Sequence, residues 1–221
     1  MRAEPFSQWV IERGWATPMP ALADVGVQVV DAVAPWEALK LRVLNALHTA
    51  AALYGLRHGH ATVDAVVADP GGRGLLERLA VEIAEVLTAP AGTYVDAYVA
   101  TTLERFGNSG LGHRCDQIAT DSSQKLPVRI VPTLRERLAR DLPVDALVDV
   151  LALWAWSTRG RAVKDPLTDR FAAAGDDPLA LATALVGLPE VFGDLAGNPH
   201  LVAAVGHRLA DVPGGTTENV R

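Results

Sequence analysis

The sequence predicts a mainly α-helical fold entered through two short β-strands, and three features predict it. From Pro35 onward the apolar residues fall in helix-length stretches. Strand-like runs occur only twice, both ahead of residue 34. Breakers such as Asp69-Pro-Gly-Gly72, Ala89-Pro90 and Asp176-Asp-Pro178 punctuate the helical stretches.

Taken in order, residues 5–12 read as a strand whose large residues are Phe6, Trp9 and Ile11. After the breaker cluster Thr17-Pro-Met-Pro20, residues 25–30 read as a second strand. Two strands do not make a stable sheet by themselves, so they look like the edge of something larger. Helices are expected at 36–57, 62–68, 73–87, 92–106, 109–120, 131–140, 143–158, 166–174, 178–188 and 198–209. Pro35 ahead of the first helix and Gly55 near its end are suitable boundary signals. The expected organisation is a strand remnant over 1–33, a helical domain over 34–212 and a flexible tail over 213–221.

The 221 residues, 49% hydrophobic and 21% charged, suit one sizeable globular domain. A net charge of -6 argues against a nucleic-acid partner, which requires a concentrated basic face. Cys115 is the only cysteine, which excludes an intrachain disulfide and a Cys-based zinc site. Nothing resembles a signal peptide or an apolar run long enough to span a bilayer, so a cytoplasmic location is the default expectation.

The candidate chemistry lies in Glu37-Ala-Leu-Lys40-Leu-Arg-Val-Leu-Asn45-Ala-Leu-His48. At 100° per residue, Glu37, His48 and Asn45 fall about 60°, 80° and 140° from Lys40, all on one side of the helix. Leu39, Val43 and Leu47 cover the opposite side. Lys, Asn and His on the wall of an apolar helix suit chemistry at a carbonyl or secondary alcohol. There a buried Lys40 amine takes the hydroxyl proton, Asn45 donates to the developing oxyanion and His48 orients a hydroxyl. Glu37, one turn earlier, is placed to relay the proton to solvent. The alternative is structural duty: His48 and Asn45 satisfying core groups while Lys40 snorkels outward.

A second polar segment, Asp121-Ser-Ser-Gln-Lys-Leu-Pro127, reads as an ordered loop, with Lys125 and Arg129 able to meet a carboxylate or a row of hydroxyls. The alternative is a helix C-terminus with basic residues facing its dipole. Arg135-Glu-Arg-Leu-Ala-Arg140 reads as a solvated helix face, Trp154, Trp156 and Cys115 as core, and His58-Gly-His60 as ordinary loop residues.

Together, Glu4-Pro-Phe-Ser-Gln-Trp-Val-Ile-Glu12, the Lys40-x4-Asn45-x2-His48 segment, the block 105–132 and Lys164-Asp-Pro-Leu167 resemble the polyol-specific long-chain dehydrogenases. This is the family of mannitol 2-dehydrogenase and fructuronate reductase (mannonate dehydrogenase), and the Gln-Lys-Leu-Pro form is nearer the fructuronate branch. The resemblance implies interconversion of a sugar alcohol or aldonate and its 2-keto form with NAD or NADP and no metal. It gives Lys40 the role of general base, Asn45 and His48 oxyanion and substrate contacts, Glu37 proton exchange, and Lys125 and Arg129 substrate contacts. It also implies a helical domain like the C-terminal domain of 6-phosphogluconate dehydrogenase, with residues 1–33 left over from a Rossmann-type domain.

Two departures stand out: Ser109 where the family has proline after Asn108, and Ser122 where it has glycine. If that glycine takes positive φ, Ser122 is strained. No glycine-rich dinucleotide fingerprint follows a strand, and Gly71-Gly-Arg-Gly74 lacks both the strand and the acidic ribose partner. The cofactor-binding residues are therefore unassigned. The chain is expected to be inactive in isolation and to need a dinucleotide-binding domain in cis or trans. Two other readings stand beside this one: a non-catalytic relic or sugar-acid-binding module, and an interaction protein recruiting a partner through Phe6, Trp9 and Ile11.

Overall fold

The computed structural model describes residues 7–18, 20–159, 163–175 and 177–211. Two three-residue strands, β1 (Val10–Glu12) and β2 (Gln28–Val30), pair in parallel, with Ile11 opposite Val29. Both are shorter than the sequence suggests. Residues Leu22–Val25 form a 3₁₀ turn, and Gly26 at φ 86° closes it in the left-handed region open to glycine. Extended pairing can therefore begin only after the turn. Phe6 and the tail 213–221 lie outside the described residues.

The Glu12 carboxylate accepts the Val33 N–H at 2.9 Å, fastening β1 to the entrance of the first helix. That helix runs from Ala34 to His58, but not as one regular coil. Helix α1 (Ala34–Leu39) passes into a π-helical segment, Lys40–Asn45, and continues as α2 (Ala46–His58). The Ala46 N–H reaches back five residues to the Leu41 carbonyl, the i→i+5 pattern that widens a turn.

Next come α3 (Val63–Ala68), α4 (Pro70–Ala84), α5 (Val95–Phe106), α6 (Cys115–Ala119), α7 (Ser122–Arg129) and α8 (Val131–Leu138). They are followed by α9 (Asp145–Thr158), α10 (Thr168–Ala172), α11 (Pro178–Val186), α12 (Pro189–Phe192) and α13 (Pro199–Asp211). Two expectations are overturned here. The helix expected over 109–120 shrinks to α6, because Gly107–Gly112 forms a turn in which the Asn108 side chain accepts the Gly110 N–H and Gly112 sits at φ 59°. The expected loop 121–127 is instead the body of α7. Asp165, remote in sequence, accepts the Ser123 N–H at 2.8 Å and supplies the start signal that the local sequence lacks.

The core forms where α2 packs against α9, α4 and α6, with α13 closing over α9 and α11. Ala50, Ala51 and Ala52 are fully buried, and their small side chains let neighbouring helices approach closely. Trp154 is buried and meets Phe171 edge-on at 5.7 Å. The run Arg135–Arg140 is not a solvated face. Arg137 is buried, where it donates to the carbonyls of Glu82 and Pro143 and to the Glu85 carboxylate. Gly71 and Gly72 lie in the first turn of α4, where a Cβ would meet the Tyr54 hydroxyl at 2.4 Å and the Val66 carbonyl at 2.5 Å. Those glycines serve close packing. Among the described residues no single helix is long and apolar enough to cross a membrane.

Candidate active site

The widened turn decides how the polar residues of the long helix meet. In an α-helix, Asn45 would stand about 140° from Lys40. An i→i+5 ladder holds more residues per turn than 3.6, so Asn45 swings back toward the Lys40 side. Glu37, Lys40 and Asn45 accordingly line one open cavity of about 430 Å³ together with Trp9, Val33 and Trp36.

Burial departs from expectation. Glu37 and Lys40 are exposed and Asn45 is half-buried, whereas Leu39, Val43 and Leu47 are buried as the pattern predicts. The apolar wall that would desolvate the Lys40 amine is therefore not complete in this chain, because the cavity face beyond Trp9 is open.

His48 does not line that cavity. It follows Lys40 by eight residues, at most about 12 Å further along the axis at 1.5 Å per residue. Its ring stacks on Phe106 at 4.8 Å and stands 5.0 Å from His113. Burial, then the charges of His113, Arg129, Lys125 and Arg105, push its pKa down to about 4. The imidazole is thus neutral at physiological pH.

Helix α7 brings Lys125 and Arg129 against the same region. The Lys125 ammonium donates to the Ile118 carbonyl at 2.9 Å and to the Thr120 carbonyl. It therefore caps the end of α6, as the dipole alternative has it, but on a neighbouring helix. Burial and then the Arg129 charge lower its pKa. Arg129 donates through Nη1 to Thr49 Oγ1 at 2.9 Å and to the Asn45 carbonyl at 3.5 Å, and burial lowers its pKa. Arg129 therefore clamps the π-helical segment from outside, and Thr49 Oγ1 donates to the Asn45 carbonyl at 3.0 Å from within.

The strain feared at Ser122 is absent. Asp121 carries the positive φ, 55°, and Ser122 is the first residue of α7 with its hydroxyl donating to the Ala119 carbonyl. Aspartate is one of the residues that tolerates this conformation.

Residues 32–212 match the family described as the mannitol dehydrogenase C-terminal domain. The chain belongs to this family. Among its relatives, the D-mannonate oxidoreductase of Escherichia coli is 37% identical over 213 residues, spanning 91% of this chain and 44% of that protein. The mannitol 2-dehydrogenase of Aspergillus fumigatus is 32% identical over 206 residues, 86% of this chain and 40% of that one. Among solved structures, Pseudomonas fluorescens mannitol 2-dehydrogenase, in a ternary complex with NAD and D-mannitol, matches with a TM-score of 0.87 at 27% identity. The match covers 96% of this chain and 45% of that one. The chain thus spans less than half the length of these members of the mannitol dehydrogenase family.

Sequence reasoning did not find several residues of this mannitol dehydrogenase C-terminal fold that hold the site. Arg42, in the π-helical segment, donates from Nε to Thr133 at 3.0 Å and from both Nη atoms to Glu136 at 2.9 Å. Phe106 and His113 flank His48. Asp165 anchors α7 and belongs to the quoted Lys164-Asp-Pro-Leu167 motif, which was the available signal. Cys115 is buried against Gly55, and burial pushes its thiol up to about 11, so it is inert at neutral pH. Among the described residues no three metal-ligating side chains gather.

Proposed function

We propose that the chain is the substrate-holding half of an NAD(P)-dependent oxidoreductase that interconverts a sugar alcohol or aldonate and its 2-keto form. The observation that carries this reading is the cavity in which Lys40, Asn45 and Glu37 meet on a π-helical wall. Lys40 Nζ takes the hydroxyl proton from the reacting carbon, the Asn45 amide donates to the oxyanion, and Glu37 passes the proton to water. A linear substrate lying along the helix axis reaches His48 at its far end. The described residues do not fit a dinucleotide. Of their glycine-rich runs, Gly71–Gly74 is inside α4, with Gly71 and Gly72 packed against Tyr54 and Val66, and Gly107–Gly112 follows the helix α5 rather than a strand. The cofactor, which accepts the hydride, therefore belongs to a dinucleotide-binding domain supplied in cis or in trans.

The test is turnover of D-mannonate, D-fructuronate or D-mannitol with NAD(H) or NADP(H), with and without a separately supplied dinucleotide-binding domain. Turnover is expected only with that domain, and Lys40→Ala should lower it by about 10²–10⁴-fold. Activity that survives Lys40→Ala sinks the base assignment. Complemented mixtures that bind substrate without turnover favour the non-catalytic reading.

A further inference from the structure

Among the described residues, the cavity that holds Glu37, Lys40 and Asn45 is lined by one further polar side chain, Gln8, to which the mechanism above gives no role. The first three come from the long helix, whereas Gln8 comes from the residues leading into β1. The rest of the lining is apolar: Trp9, Val10, Val33, Trp36 and Leu41. Two hydrogen bonds fix the Gln8 segment against the helix. The Trp9 carbonyl, directly after Gln8, accepts the Gln28 N–H at 2.8 Å, and the Glu12 carboxylate accepts the Val33 N–H at 2.9 Å just ahead of α1. Residues two apart on an extended chain share a face, and Gln8 and Val10 line the cavity together. The Gln8 carboxamide has no hydrogen-bond partner among the described residues, so its N–H groups and its carbonyl are available to a ligand.

We propose that Gln8 is a further substrate-contacting residue, its carboxamide bonding a hydroxyl beside the reacting carbon of the sugar. The inference rests on the function proposed above and adds the strand segment to a site otherwise built from one helix. Successive hydroxyls of an open-chain sugar project in different directions, so a hydroxyl held by Lys40 and Asn45 leaves its neighbours to other parts of the lining. Away from the helix that lining is apolar except at Gln8, and a hydroxyl taken from water without a partner costs free energy. A carboxamide donates and accepts, as a hydroxyl does, and carries no charge. In their charged forms Glu37 can only accept and Lys40 can only donate. Gln8 therefore registers whether the neighbouring hydroxyl is present, and favours polyhydroxylated chains over simple secondary alcohols.

The side-chain carboxamide signals in a proton–nitrogen correlation spectrum of the chain, titrated with D-mannitol and with D-mannonate, test this. With at least one of these sugars, the Asn45 and Gln8 signals should move together and saturate at one concentration, while those of Gln28, Gln117 and Gln124 stay still. In Gln8→Ala the dissociation constant should rise about two- to tenfold. The Asn45 signal should still respond in that variant, which shows that the site remains folded. The same sugar lacking the hydroxyls of its third and fourth carbons should lose more affinity for the unaltered chain than for Gln8→Ala. A shift at Asn45 with none at Gln8, an unchanged dissociation constant in Gln8→Ala, or equal losses with the deoxygenated sugar overturns the Gln8 contact and leaves the substrate-holding reading standing. Silence at both Asn45 and Gln8 with either sugar overturns the two together.

Discussion

Arg42→Met probes what holds the π-helical segment. Methionine keeps the apolar stem and removes the guanidinium, which makes three hydrogen bonds to Thr133 and Glu136. The Arg42 side chain is 10% exposed and that of Glu136 38%. Removing one partner of a buried ion pair costs about 3–5 kcal/mol. Here the half-open Glu136 carboxylate regains water, which lowers the figure, while the fully buried Thr133 hydroxyl is orphaned, which raises it. The net expectation is a loss of about 2–4 kcal/mol. Urea unfolding followed by far-ultraviolet circular dichroism measures it. A double-mutant cycle with Glu136→Gln should give a coupling of about 1–3 kcal/mol. Amide exchange within 40–45 should quicken more than in α9. A loss below about 1 kcal/mol with additive single effects would refute the idea that this pair fixes the segment.

Further outcomes are expected elsewhere. The folded His48 pKa of about 4 lies below its ordinary 6.5. The unfolded chain therefore binds the proton first as pH falls, and stability is lost between pH 6.5 and about 4 by at most about 3 kcal/mol. In His48→Phe that part of the pH–stability curve should flatten. Asp165→Ala removes the acceptor of the Ser123 and Leu167 N–H groups and should cost about 1 kcal/mol, with faster exchange in α7. Glu82→Ala strips the buried carboxylate that accepts the Ala146 and Leu147 N–H groups at the start of α9, and about 1–3 kcal/mol should be lost in thermal unfolding.

The reach of the sequence can be traced residue by residue. Leu39, Val43 and Leu47 announced a buried helix face because a helix repeats its own geometry every few residues, and that information is local. The spacing of Lys40, Asn45 and His48, with the Gln-Lys-Leu-Pro segment, carried the family. Boundaries failed where the deciding partner was distant. Helix α7 begins at Ser122 because Asp165, 42 residues later in the chain from Ser123, accepts a backbone N–H there. Arg137 is buried because Glu82 and Pro143 offer it carbonyls, which no local pattern reveals.

What the chain's own order of residues determined is its helical class, its apolar faces and which polar side chains its long helix carries. Tertiary structure decided how those side chains meet. Arg42 reaches Thr133 and Glu136, 91 and 94 positions away, and Arg129 clamps the Asn45 carbonyl from α7. Between them they brace the i→i+5 turn that returns Asn45 to Lys40 and leaves His48 against Phe106 and His113. A wheel drawn from sequence assumes one period throughout. Only contacts between helices can hold a segment to a different one.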